Sequence, residues 1–254
     1  MKVVIIGGTG LIGSKVTARL RKLGYDVIPA APNTGVNTIT GEGLDNALKE
    51  ADVVVDVANS PSFEDEAVMD FFQTSGRNLL AAEARAGVQH HIVLSVVGTD
   101  RLQESGYFRA KLVQENLVKG SGIPFSIVRS TQFFEFLKGI TDAATEGREV
   151  HLAPANIQPI ASDDVALRIE EMVTGRPING TIEIAGPDLY VLPELVSLYL
   201  TQLEDSRNVR IDEHAQYFGA PLNTDTLMPS RNARVGPTDF TAWLQSVVLK
   251  LPHT

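Results

Sequence analysis

Three side chains in the middle of the chain have the chemistry to move a proton to or from a carbonyl oxygen: Ser95, Tyr107 and Lys111. Tyr107-Phe108-Arg109-Ala110-Lys111 sets a phenol and an ammonium four residues apart, which on a helix is one face. An isolated tyrosine, with a pKa of about 10, releases its proton reluctantly, and a nearby ammonium favours the phenolate. In this reading Tyr107 is a general acid or base and Lys111 lowers its pKa. Ser95, at the end of the apolar run His91-Ile92-Val93-Leu94-Ser95, orients the oxygen that takes the proton. Tyrosine and lysine at this spacing also recur on solvated helix faces, so the pair gains meaning only from what accompanies it.

What accompanies it lies near the N-terminus. Val3-Val4-Ile5-Ile6 leads straight into Gly7-Gly8-Thr9-Gly10-Leu11-Ile12-Gly13, after which Leu11, Ile12, Val16 and Leu20 recur at helical spacing up to Gly24. A dinucleotide requires this order of strand, glycine turn and helix. The turn must be free of Cβ strain, the backbone must approach a pyrophosphate, and the helix needs a small residue where it meets the strand. Free amides and the positive end of the helix dipole then face the phosphates. Gly7, Thr9, Gly10, Leu11, Ile12 and Gly13 are therefore the expected cofactor contacts. With a nicotinamide cofactor as the source of hydride, Ser95, Tyr107 and Lys111 complete a hydride-transfer site in which Lys111 also holds the nicotinamide ribose. An acid at the end of the second strand selects NAD. Here that stretch reads Ala30-Ala31-Pro32-Asn33-Thr34, with neither an acid to repel a 2′-phosphate nor an arginine to clamp one. Asn33 and Thr34 as neutral donors tilt the expectation towards NADP over NAD, and a purely turn-forming role suits both residues equally well.

The elements that must position these residues follow from hydrophobic periodicity. Strands are expected at 26–29, 53–55, 91–95 and 125–129, and helices at 44–50, 65–86 and from 107 to 120 or 122. Short apolar runs without alternation belong to strands buried on both faces, so the repeated strand-helix-strand order predicts an α/β fold. It is a Rossmann-like, doubly wound parallel sheet with right-handed crossovers. Past Arg129 the rhythm loosens: a helix at 162–173, a strand at 181–184, a helix at 192–203, an irregular tail from 208 to 237 and a last helix at 240–249. No linker or repeat divides the chain, so residues 1–254 are read as one domain, with 133–160 and 187–240 forming a small C-terminal substrate lobe. Val97, Gln132, Phe133 and Phe134 are the expected substrate contacts, although core packing explains the phenylalanines equally well. Tyr217 and Phe218 are candidates for a lid.

Composition narrows the partners. At 254 residues, with 43% hydrophobic and 21% charged side chains, the chain builds a core without disulfides or metal. A formal net charge of -9 and no basic run exclude nucleic acid, and the absence of cysteine excludes thiol nucleophiles and cysteine-ligated zinc. His90-His91 lie on a strand and point to opposite faces, with no acidic cluster in sequence to complete a site, so no metal is expected. Asp163-Asp164, just before Val165, reads as helix capping and dipole complementarity. Without a leader pattern or a long apolar stretch, the expectation is a cytoplasmic protein with no membrane contact and a small-molecule substrate. The assembly is left open, a homodimer included.

Taken along nearly its whole length, the chain resembles the short-chain dehydrogenase/reductase superfamily, most closely its atypical NmrA-like branch. The carriers are Gly7-Gly8-Thr9-Gly10-Leu11-Ile12-Gly13, Ser95-Val96-Val97-Gly98, Tyr107 to Lys111, Val128-Arg129-Ser130-Thr131-Gln132-Phe133 and Ser162-Asp163-Asp164-Val165-Ala166. The resemblance implies NAD(P)-dependent oxidation or reduction with Ser95, Tyr107 and Lys111 in the roles above. The sequence departs from the family pattern twice: its asparagine-containing motif is altered here to Val57-Ala58-Asn59-Ser60-Pro61, in which Asn59 is the expected cofactor contact, and the arginine common after the second strand is missing. NmrA-like relatives also include dinucleotide sensors without turnover. Epimerases and dehydratases that retain NAD are a third alternative.

Overall fold

The computed structural model describes residues 1–248. In chain order the first half runs β1 (Lys2–Ile6), α1 (Leu11–Lys22), β2 (Asp26–Ala30), α2 (Leu44–Leu48), β3 (Val53–Asp56), α3 (Asp65–Ala86), β4 (His90–Val96), α4 (Gly106–Gly120) and β5 (Phe125–Ser130). The second half continues with α5 (Leu137–Ala143), β6 (Thr145–Glu146), β7 (Glu149–Leu152), β8 (Asn156–Ile157), α6 (Ser162–Thr174), β9 (Gly180–Ala185) and β10 (Tyr190–Val191). It closes with α7 (Leu192–Gln202), β11 (Asn208–Ile211), β12 (Gln216–Tyr217), β13 (Ala220–Pro221), β14 (Arg234–Val235) and α8 (Phe240–Val248). The expected last helix also took in Leu249, which lies outside the described residues.

Seven strands form one sheet in the order β14-β9-β5-β4-β3-β1-β2, and every neighbouring pair is parallel. This is the doubly wound Rossmann-like sheet expected from the alternation of elements. After β2 the chain crosses back over β1 to place β3 on its other side, which makes the C-terminal ends of β1 and β3 the topological switch point where open α/β sheets bind ligands. The absence of alternation in β1 has a direct cause. Val3 and Ile5 pack with Val16 and Leu20 of α1, whereas Val4 and Ile6 pack with Leu48 of α2 and Leu79 of α3, so both faces are covered. Helix α1 ends at Leu23, whose amide makes the last in-register bond to Arg19, and Gly24 turns left-handed at φ +83; α3 ends likewise at Gly87, φ +73.

A second core lies beyond the C-terminal edge of the sheet. It gathers Phe134, Leu137, Val150, Ile157, Leu195 and Trp243 with Leu102 and Phe108 from the main layer. The stretch from 208 to 237 is not the irregular tail expected: β11 adds to β7 in parallel, β12 and β13 make a hairpin, and β14 rejoins the main sheet beside β9. Strands this short carry too few residues for a period of two to be legible. The aromatic tip of the hairpin, Phe218-Gly219, has φ +48 and +83, the all-positive pattern of a type I′ turn without the Asn-Gly that normally signals one.

Candidate active site

The glycine turn divides its labour. A Cβ on Gly7, itself at φ +76, would fall 2.8 Å from the backbone of Ala58 after β3, one on Gly8 would fall 2.5 Å from Pro29 of β2, and one on Gly13 would fall 2.2 Å from the Gly7 carbonyl. Gly7 and Gly8 let the ends of β1, β2 and β3 close together, and Gly13 lets α1 pack on the turn. Gly10 differs, because its Cβ would meet only the Gly7 carbonyl, at 3.3 Å. Its bare surface faces outward, and α1 begins there with no side-chain cap, so the first amides of the helix stay free for an anion. The cradle thus fits a pyrophosphate. Thr9 Oγ1 donates to Asn33 Oδ1 at 3.2 Å, tying the glycine turn to the turn after β2. Thr34 does not serve as a free donor. Its hydroxyl donates to the carbonyls of Pro29 and Ala31 and accepts the Ala31 amide, so it is a turn-forming residue. Asn59 is exposed in the loop after β3.

Lys111 is almost wholly buried, 3% exposed, on α4. Its Nζ donates to the Leu94 carbonyl of β4 at 2.8 Å and to Gln114, and lies 4.6 Å from the centre of the Phe72 ring. Gln114 in turn donates to Asp56 Oδ2 at 2.8 Å, while Asp56 Oδ1 accepts the Ala58 amide at 3.1 Å. A buried polar chain therefore runs from Lys111 through the end of β3 to the residue that faces Gly7. Burial lowers the Lys111 ammonium to about 8, with the charges of Asp56 and Glu115 resisting.

Tyr107 sits one turn earlier, its ring packed against Phe63, Phe72 and Phe108 with centroids 5.4, 6.2 and 5.7 Å away. The expected lowering of its pKa by Lys111 is reversed: burial pushes the phenol up to about 12, because the ammonium is turned to Leu94 and Gln114. Ser95 is buried and its Oγ donates to Glu115 Oε1 at 2.7 Å. Arg129 Nε and Nη2 also donate to Glu115, each at 2.8 Å, and Arg129 Nη1 reaches Asp100 at 3.2 Å. The hydroxyl expected to orient a carbonyl is committed to this ion-pair network. Sequence reasoning missed Asp56, Gln114, Glu115 and Phe63. Gln114 and Glu115 were the findable ones, three and four residues after Lys111 on the same helix face.

At the end of β5, Gln132 is 6% exposed, yet neither atom of its carboxamide has a hydrogen-bond partner, nor has the hydroxyl of Thr131. Buried donors and acceptors are nearly always paired, so a ligand carrying both fits this position. Phe133 stacks on Phe136, centroids 5.1 Å apart. Phe134 stacks on Trp243 at 5.3 Å in the lobe core and Val97 is fully buried, so neither offers surface to a substrate. The sequence could not separate these roles, since adjacent phenylalanines look alike until the chain turns. A cavity of about 230 Å³ opens beside the loop leading into α4, between Leu102 and Ala220.

The remaining polar pairs are structural. His91 Nδ1 lies 2.9 Å from Glu83 with both side chains buried, so an acid does sit beside it in space, and His90 Nε2 bonds Ser126 Oγ at 2.8 Å. Among the described residues no group of three potential metal ligands converges. Capping by Asp163 and Asp164 is not what forms. Asp163 pairs with Lys15, Asp164 holds the amide and hydroxyl of Thr238, and Glu135 instead accepts the Ser162 amide at the start of α6, although both acids still complement the helix dipole.

A parallel sheet whose switch point presents a glycine cradle and free helix amides defines a Rossmann-type dinucleotide domain. Residues 7–174 match the family model described as NAD(P)H-binding, and the chain belongs to that family. Among its relatives, the divinyl chlorophyllide a 8-vinyl-reductase of Cucumis sativus, named as chloroplastic, is 26% identical over 75% of this chain and 54% of its own length. An isoflavone reductase homolog of Nicotiana glauca is 24% identical over 78% of this chain and 73% of its own. The chain spans about half the length of the chlorophyllide reductases it matches. Among solved structures, the dTDP-4-dehydrorhamnose reductase of Bacillus anthracis in complex with NADP superposes with a TM-score of 0.77 at 15% identity, covering 98% of this chain and 99% of that one. Likenesses at this identity speak to fold alone. No helix among the described residues is long and apolar enough to cross a membrane.

Proposed function

We propose that the protein is an NAD(P)H-dependent oxidoreductase acting on a small carbonyl or quinone-type substrate, with Tyr107 as proton donor. One observation carries this reading: Tyr107 has no protein hydrogen-bond partner among the described residues, yet stands one helical turn from the buried chain Lys111-Gln114-Asp56 that ends opposite Gly7. When bound, the nicotinamide cofactor supplies the hydride. Backbone amides at Leu11 and Ile12 hold its diphosphate, Lys111 faces its ribose, and the unpaired carboxamide of Gln132 answers a group with both donor and acceptor. A phenol at about 12 stays protonated at neutral pH, so Tyr107 is equipped to give a proton rather than to remove one. Its O–H bond breaks as a new O–H bond forms on the alkoxide oxygen, which is far more basic than a phenolate, and the direction favoured is reduction.

NADP is preferred over NAD in this reading, because the turn after β2 offers Asn33 and no carboxylate to repel a 2′-phosphate. A cytoplasmic location is proposed with it and is checked by imaging a fluorescent fusion. The test of the activity is loss of NADPH absorbance with aldehydes, ketones and quinones, alongside calorimetry with NADP and NAD. Tyr107→Phe is expected to lose at least 100-fold in turnover while binding cofactor within about twofold of the wild type. Unchanged turnover in that variant removes Tyr107 from the mechanism.

A second reading, a dinucleotide sensor without turnover, is favoured by the commitment of the Ser95 hydroxyl to Glu115. It predicts cofactor binding with no consumption of NADPH by any compound in the panel.

A further inference from the structure

Aromatic rings gather in front of Tyr107 from two directions. Phe63, in the loop after β3, lies 5.4 Å from the Tyr107 ring and 6.4 Å from that of Phe218, at an interplanar angle of 32° to the latter. Phe218 is the tip of the β12–β13 hairpin, and Tyr217 supports it edge-on with centroids 4.8 Å apart. The two outer rings are open to solvent, Phe63 56% and Phe218 43% exposed. Phe218 also holds φ +48, a left-handed conformation that disfavours a bulky side chain. A hairpin built for stability alone places asparagine or glycine there. Strain of this kind, at a tip that carries an exposed ring to a second exposed ring from another loop, is what a ligand contact accounts for.

Building on the reading of Tyr107 as proton donor, we propose that Phe63 and Phe218 clamp a flat, conjugated ring and present its carbonyl to Tyr107, so that the substrate class is aryl ketones and quinones. A planar ring sandwiched at two stacking separations of about 3.5 Å needs roughly 7 Å between parallel outer rings, so Phe63 and Phe218, with centroids 6.4 Å apart and planes tilted by 32°, have to open and swing parallel to take one. An outward shift of the hairpin tip together with rotation of the Phe218 ring admits one planar ring. A puckered ring bearing hydroxyl groups needs a wider gap and strips water from polar atoms against phenyl faces, which counts against sugar nucleotides.

The test compares 2-acetylnaphthalene with its decahydro counterpart, which keeps the carbonyl and loses the flat ring. Binding of each to the full chain is measured by calorimetry in the presence of NADP. The clamp predicts at least tenfold tighter binding of the planar compound, and a preference reduced to within twofold in Phe63→Ala and in Phe218→Asn. Phe218→Asn relieves the strained tip, so its melting temperature stays at or above that of the wild type and the lost preference is not a folding defect. Ile211→Ala, exposed on β11, keeps the full preference. Equal binding of the two compounds by the wild type, a preference that survives in both variants, or binding of a dTDP-sugar in place of the ring overturns the proposal. Tight, clamp-dependent binding without NADPH consumption upholds the clamp and removes the oxidoreductase reading. NADPH consumption with saturated carbonyls alone does the reverse.

Discussion

At the scale of single residues, the informative group is a lysine held where lysines seldom are. Lys111 reaches about 8 in the folded chain against 10.5 for an unburied lysine, so between those values the unfolded chain holds the extra proton. Stability therefore rises with pH across that window, by up to roughly 3 kcal/mol for a shift of this size. Urea unfolding of the wild type and of Lys111→Met at pH 7.5 and 10 measures it: the wild type gains on the variant as pH rises, and parallel behaviour excludes a lowered pKa at Lys111. The pairing of Tyr107 with Lys111 on one helix face was legible, because four residues is a local distance. Asp56 was not, since it meets Gln114 across 58 residues and its position at the end of an apolar strand gave no hint of a partner. Ser95 shows the converse. Its place at a strand end was read correctly, but the face it presents is set by Glu115 and Arg129, whose roles no spacing in the sequence announced.

At the scale of elements, the β1-turn-α1 unit separates two kinds of glycine, and substitution should separate them too. Gly13→Ala drives a methyl group to within 2.2 Å of the Gly7 carbonyl, an overpacking that costs at least about 1–3 kcal/mol and dislodges α1 from β1. Gly10→Ala meets nothing closer than 3.3 Å and leaves the melting temperature within a few degrees, yet its methyl group stands where a diphosphate approaches. Calorimetry with NADPH should then show about a tenfold loss of affinity for Gly10→Ala in a folded protein, whereas Gly13→Ala should melt at a clearly lower temperature. This unit was readable in full because strand, turn and helix are contiguous. The lobe was not, because strands of two residues such as β12 and β13 take their conformation from the hairpin turn and from packing rather than from pattern.

At the scale of the molecule, Glu115 joins α4, β4 and β5 into one body through Ser95 and Arg129. Burial raises its carboxyl, but the hydrogen bonds from Arg129 and Ser95 outweigh it and hold the net value below the usual carboxylate range. A depressed carboxyl contributes stability above its unfolded value and loses it as pH falls through the folded one. Glu115→Gln should therefore cost about 3–5 kcal/mol at pH 7, by leaving Arg129 poorly paired in a part-buried site, and the deficit should shrink on titration towards pH 3 in chemical denaturation. The lobe is bound to the same body differently. Its tail returns to the main sheet at β14, where the Gly236 amide bonds Ala185 and the Thr238 amide bonds Asp164, so the lobe is anchored on both sides of its outermost loop. A protease that cuts at the exposed pair Glu213 and His214 should consequently leave two fragments that travel together through gel filtration and part only in denaturant.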